Sequence, residues 1–206
     1  MAVYATQYNN FLPMVDCSSN GHWLTDEPIA FGDILMAMDT SKMTNPNSIR
    51  RLFFCPSNLE QNIDAMWLGP KLDAKYRSFG YNFLNSRYNQ GAPALPTVNS
   101  DGISLQTTPG RSPPVRFLTR MLVSGNTSDT ELAFDEIISD QKTNSIFIYP
   151  IIATNNNTTN HVTGRMPSGG NVLGCDGHVG WRRFATSMAV YYPTTDGLTN
   201  QWIPAP

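Results

Sequence analysis

The feature that most narrows what this chain can fold into is an Asp-Gly pair between two runs of strand character, in "NVLGCDGHVGW", residues 171–181. Asp-Gly is a strong hairpin signal, because a two-residue type I′ turn needs positive φ at both central residues. A turn at Asp176-Gly177 places Cys175 opposite His178, Gly174 opposite Val179, Leu173 opposite Gly180 and Val172 opposite Trp181. In that register Val172, Val179 and Trp181 share the core face, with Gly174 leaving room beneath them. Leu173, Cys175 and His178 then share the other face.

The same stretch carries groups with chemistry. Cys175, Asp176 and His178 could supply metal ligands or a thiol-imidazole pair. Turn chemistry already accounts for the Asp-Gly, and a histidine in such a place is more often a cross-strand packing residue. The preceding "PSGGN", residues 167–171, has the glycines of an anion-cradling loop. It lacks a lysine and leads into a strand, whereas phosphate loops open a helix, so it reads as a flexible approach to the hairpin. The chain has no GxSxG elbow and no HExxH helix, and His22, His161 and His178 stand in three separate contexts. Asp135, Glu136 and Asp140 lie beside apolar residues and are expected on a solvated face. Calcium ligation by this region, together with Asp129 and Glu131, is the alternative, and it requires the oxygens to converge. No enzyme is expected, and no cofactor beyond that calcium alternative.

At 206 residues the chain suits one domain, residues 1–206. Only 15% of residues are charged and the formal net charge is -2, so no basic field exists to gather phosphates, and nucleic acid is not an expected partner. The abundant Asn, Thr, Ser, Gly and Pro predict a neutral, loop-covered surface of a kind common outside the cell. No run approaches the roughly 18–20 apolar residues that cross a bilayer, and the opening "MAVYATQYNNFLPM" lacks the basic-then-apolar order of a signal peptide. Cys17, Cys55 and Cys175 show no CxxC spacing. One disulfide with one free thiol and three reduced thiols both remain open.

Along the chain, residues 1–8 read as the last turns of a helix, and the segment from Val15 to Pro28 as loop. Ile29, Phe31, Ile34, Leu35 and Met38 fall at helical spacing and predict a short amphipathic helix. Arg51–Phe54 reads as extended, ended by Pro56, and residues 58–68 as a helical turn or two. "YRSFGYNFLNSRY" reads as extended with Tyr81 and Phe83 on one face. Residues 86–114, rich in Pro, Gly, Asn and Ser, form the longest structureless candidate. "VRFLTRMLVSG", "ELAFDEIIS" and "SIFIYPIIAT" are three strand-like runs, Pro150 holding the last to a sheet edge, and "NNNTTNHVTG" is loop.

In order, "YATQYNNFLP", "FFCPS", "SFGYNFLN" and "SGGNVLGCDGHVGW" resemble the pilin-like proteins of the type II secretion and type IV pilus superfamily. In particular the chain resembles the pseudopilin-like family named for a C-terminal box of His, nine residues, then Asp-Gly. The box falls on Gly169, Gly170, Asn171, Asp176, Gly177 and His178. Two positions depart from it: Met166 stands where the box has its histidine, and Gly174 where the family usually has an aromatic residue. The resemblance implies an α+β pilin-like head, its antiparallel sheet packed on the remnant of an N-terminal stalk helix, with long loops and a C-terminal β-hairpin. It also implies a non-enzymatic subunit of a filament or secretion apparatus on the periplasmic or extracellular face of a bacterial cell. Its partners would be other such subunits, and its full-length form would be anchored in the inner membrane by a helix preceding residue 1. The competing reading is an extracellular module that grips a glycan or a protein with Trp23, Trp67 and Tyr88. A hydrolase using Asp176 and His178 is a third.

Overall fold

The computed structural model describes residues 12, 15–16, 25–36, 49–67, 76–84, 87–88, 103–106, 115–118, 130–140, 147, 158–185, 190–193 and 199–203. Residues 1–8 and Pro150 lie outside them, so the expected stalk remnant and edge-strand proline do too. The described elements mix short helices with mostly antiparallel sheets, an α+β composition.

The central sheet has four antiparallel strands: β4 (Tyr81–Phe83), β8 (Glu131–Asp135), β12 (Gly169–Gly174) and β13 (Val179–Arg183), in the order β13-β12-β8-β4. β8 lies inside the sheet and is buried along most of its length, as its apolar "LAF" suits. Immediately after it Glu136 and Ile137 carry the chain into a second sheet. There β9 (Ile138–Asp140) pairs with β15 (Thr199–Ile203), which pairs with β14 (Val190–Pro193). Ile137, Phe147 and Trp202 form the core of this region, with Phe184 packed against it.

The main aromatic core sits beside the central sheet. The predicted helix is present as α1 (Ile29–Met36), one face buried through Phe31. Phe31, Phe53, Phe54, Trp67 and Phe79 cluster together, Phe53 stacked on Phe79 at 4.8 Å between ring centroids. Two strands, β2 (Asp26–Pro28) and β3 (Tyr76–Ser78), pair antiparallel along this core. The segment from Val15 to Pro28 is therefore not loop throughout, since Val15–Asp16 is also a short strand, β1, paired with β5 (Arg87–Tyr88).

The extended reading of Arg51–Phe54 is corrected: Ile49–Phe53 is a 3-10 helix. A strand would send Phe53 and Phe54 to opposite faces, whereas the turn buries both, with Cys55 after them. Arg50 anchors it, fully buried, with its guanidinium 2.6 Å from Asp64 and its Nε 2.8 Å from Asn62 Oδ1. Residues 58–68 contain a 3-10 turn, Leu59–Gln61, and a short helix α2 (Asp64–Trp67), as expected. Residues 86–114 are not wholly structureless: β6 (Ile103–Gln106) pairs with β7 (Val115–Leu118) in an antiparallel ribbon. The loop composition around "ISLQ" masked its strand character.

The hairpin forms, but with a different turn. Gly177 N donates to Gly174 O at 3.0 Å and Gly174 N to His178 O at 2.9 Å. Only Gly177, at φ 91°, has positive φ in the turn. This is a three-residue loop, Cys175-Asp176-Gly177, closing a type I turn with a glycine bulge, not a type I′ turn. The extra loop residue shifts the register by one, pairing Leu173 with Val179, Val172 with Gly180 and Asn171 with Trp181. A one-residue slip exchanges faces. Val172 stays buried at 3% exposure, while Val179 and Trp181, expected with it in the core, are 63% and 48% exposed on the opposite face.

Candidate functional site

That opposite face is where the chemistry gathers. The pairings Tyr81–Asp135, Phe83–Ala133, Leu173–Ala133, Leu173–Val179 and Asn171–Trp181 put alternate residues of all four strands on one side of the sheet. Above it lies a cavity of about 620 Å³, its walls largely apolar, covered by Cys55, Pro56 and Ser57 from one segment and His161 from another.

Cys55 is held by the turn its Pro-Ser sequence makes: Asn58 N donates to Cys55 O at 2.9 Å, and Ser57 Oγ lies 3.0 Å from the sulfur. Burial pushes the thiol pKa up, more than the Ser57 contacts lower it, so alone it stays protonated and unreactive. His161 comes from the segment 158–161, which polar side chains stitch to the body of the domain. Asn58 Nδ2 donates to Thr158 O and to Asn160 Oδ1, Asn160 Nδ2 donates to Gly80 O, and Thr159 Oγ1 exchanges hydrogen bonds with the backbone of Ile138. "NNNTTNHVTG" is thus not simply loop: its described end is pinned, and Val162–Thr163 forms strand β10 with β11 (Met166–Pro167). His161 has φ 54°, the only positive φ among the described non-glycine residues. Its carbonyl accepts from both Ser168 N and Ser168 Oγ, which holds that conformation.

His161 Nε2 lies 2.9 Å from Asp135 Oδ2 and 3.3 Å from Cys55 Sγ, with the ring edge-on to Trp181 at 4.9 Å. Asp135 Oδ2 also accepts from Asn171 N at 2.7 Å and Asn171 Nδ2 at 2.8 Å. A nucleophilic thiol relay uses the two imidazole nitrogens separately, one toward sulfur and one toward the carboxylate. Here a single nitrogen faces both. Tyr81, on the same wall, has its phenol pushed up to about 12, chiefly by burial and then by the charges of Cys55 and Asp135.

The expectation that Asp135 and Glu136 face solvent is overturned, since they are 2% and 0% exposed. Both follow the buried "LAF" into the inter-sheet crossing, and their polar partners include the carboxamides of Asn171 and Gln61. Glu131 pairs with Arg182 at 2.7 Å, so these three carboxylates serve different partners. The side chains of Asp129 and Asp140 lie outside the described residues.

Asp176, His178 and Cys175 do not form a joint site. Asp176 Oδ1 accepts from His178 N at 3.0 Å and lies 2.6 Å from His178 Nδ1, both residues exposed. Those bonds, the backbone one first, hold its carboxyl below the usual range. Cys175 turns instead into a cluster with Leu12 and Leu132. Gly174 is what permits the fold-back of His178, because a Cβ there would stand 2.7 Å from His178 Cε1. "PSGGN" is not a flexible approach, since Gly169, Gly170 and Asn171 begin β12 itself. A Cβ on Gly169 would collide with Arg182 O and stand 2.8 Å from Trp181 Cζ2. Met166 is 45% exposed. Trp67 is fully buried between Phe53, Phe54 and Phe79 and cannot grip a ligand. Trp23 and the side chain of Tyr88 lie outside the described residues.

No protein-family model matches the chain, and no curated protein or solved structure shows significant similarity to it. Among the described residues no helix is long and apolar enough to cross a membrane. Of the residues lining the cavity, Asn171 belongs to the sequence box. Cys55, Asp135 and His161 carry no joint signal in the sequence, because they are far apart along it, Cys55 and His161 by 106 positions.

Proposed function

We propose that this chain is a non-enzymatic, pilin-like head, a subunit of an extracellular filament or secretion apparatus that assembles with related subunits on the outer side of the inner membrane. The supporting observation is convergence. Three of the four motifs that carry the sequence resemblance, "FFCPS", "SFGYNFLN" and the terminal box, meet at one place, contributing Cys55, Tyr81 and Asn171 to one cavity wall; the fourth, "YATQYNNFLP", lies outside the described residues apart from Leu12. Motifs far apart in sequence are expected to meet if together they stabilise one head domain. The antiparallel central sheet and its terminal hairpin agree with such a head. The test is to express the native gene in a host with a prepilin peptidase. Processing and membrane retention of the product are expected; a product neither processed nor retained overturns the reading.

The cavity itself favours a second reading, an extracellular binding module. Tyr81, Phe83 and the carboxamide of Asn171 offer apolar faces with a few polar groups, the usual makeup of a ligand pocket. Binding on a glycan array that Tyr81→Ala abolishes would support it, and an array with no binder would count against it.

A further inference from the structure

We propose that Cys55, Asp135 and His161 form a three-ligand site for a zinc-class transition-metal cation, its fourth position open to the cavity. One ligand atom from each of Cys55, Asp135 and His161 lies within 4.8 Å of the other two. In a tetrahedral zinc site, bonds of about 2.0–2.3 Å put ligand atoms roughly 3.3–3.5 Å apart. The observed 3.3 Å between sulfur and nitrogen already matches, and the 2.9 Å between nitrogen and oxygen needs only a small opening.

Three features point to a cation at this centre. A proton on Nε2 can be shared well with one neighbour, whereas sulfur and carboxylate both converge on that nitrogen; one metal ion uses all three lone pairs at once. Asp135 is buried, and among the described residues its hydrogen-bond partners are Asn171 and His161, neither of them a lysine or arginine. A divalent ion would supply the positive charge that a buried carboxylate requires. Lastly, the carboxylate is oriented by two donors from Asn171, and the sulfur is approached by Ser57 Oγ, the kind of surrounding contacts that fix metal ligands. Sulfur, imidazole and a single carboxylate select zinc, cobalt or a similar ion over calcium or magnesium, which want several hard oxygens. On binding, the Cys55 thiol proton leaves to solvent and the imidazole proton moves to Nδ1, freeing the Nε2 lone pair. The ion then joins three segments distant in sequence, as a cross-link does.

The site is independent of the filament reading and is tested on purified, chelator-stripped protein titrated with cobalt(II), then zinc(II). One cobalt per chain is expected, with a thiolate-to-cobalt charge-transfer band and tetrahedral d–d bands that zinc abolishes, and zinc is expected to raise the melting temperature. Cys55→Ser and His161→Gln should each remove the charge-transfer band or weaken binding at least about tenfold, whereas Cys175→Ser should leave it unchanged. Circular dichroism of the stripped variants checks folding, and His161→Gln, whose ring is 21% exposed, serves if Cys55→Ser does not fold. Absence of the band in the native protein overturns the site. So does a band that survives the folded variants, or peptide mapping that finds Cys55 in a disulfide.

Discussion

Gly169 shows how much a single position can constrain. At φ 155° it lies under the indole of Trp181 and against the carbonyl of Arg182, so an added methyl has nowhere to go. Gly177 has φ 91° but open space around its α-carbon. Gly169→Ala should therefore cost about 2–4 kcal/mol in urea denaturation, and Gly177→Ala about 1 kcal/mol, from backbone strain alone. The reverse order would mean that the close approach at Gly169 is misjudged. Buried titratable groups give a second prediction. Burial raises the Cys175 thiol from 9.0 to about 11, reinforced by Glu131 and Asp176, and the Tyr81 phenol from 10.0 to about 12, reinforced by Cys55 and Asp135. Below about pH 8 both groups are protonated whether the chain is folded or not. As pH rises from about 8 toward 12 the unfolded chain ionises first, so stability falls through that window. Denaturation midpoints across that range check it, and Tyr81→Phe with Cys175→Ala should flatten the decline.

At the level of elements, the hairpin is the instructive case. Asp-Gly between strand-like runs was enough to place the turn, yet the number of loop residues was decided by which of them took positive φ. Asp176 did not, because its carboxylate caps the backbone and ring of His178 in a type I turn. The one-residue difference carried Val179 and Trp181 out of the core and onto the cavity face. The register makes a sharp prediction: Val179→Lys should change stability by less than about 0.5 kcal/mol, while Val172→Lys, which would bury a charge, should be severely destabilising. Comparable losses from both would restore the other register. The helix at Ile29–Met36 and the extended Tyr81–Phe83 were legible because hydrophobic spacing is local. Ile49–Phe53 was not, because its turn depends on Arg50 finding Asn62 and Asp64, a partnership that no window around residue 50 contains.

Across the whole molecule, polar side chains join what the strands alone would leave apart. Asn160 is fully buried between Asn58 and the carbonyl of Gly80 and holds the segment that delivers His161. Asn160→Ala should cost about 1–3 kcal/mol, since it strands a buried carbonyl. It should also speed alkylation of Cys55, whose cover is then loosened; iodoacetamide labelling followed by peptide mapping measures this, and an unchanged rate would separate that segment from the cavity. The sequence by itself determined an α+β chain with a terminal Asp-Gly hairpin and a short helix, because turn chemistry and hydrophobic period act between near neighbours. Only the tertiary structure decided that Asp135 and Glu136 are buried, that Val179 and Trp181 face outward, and that Cys55, Asp135 and His161 meet. Those outcomes depend on strand register and on buried polar contacts between residues 26 to 106 positions apart, and such partners are chosen by packing in three dimensions rather than by spacing along the chain.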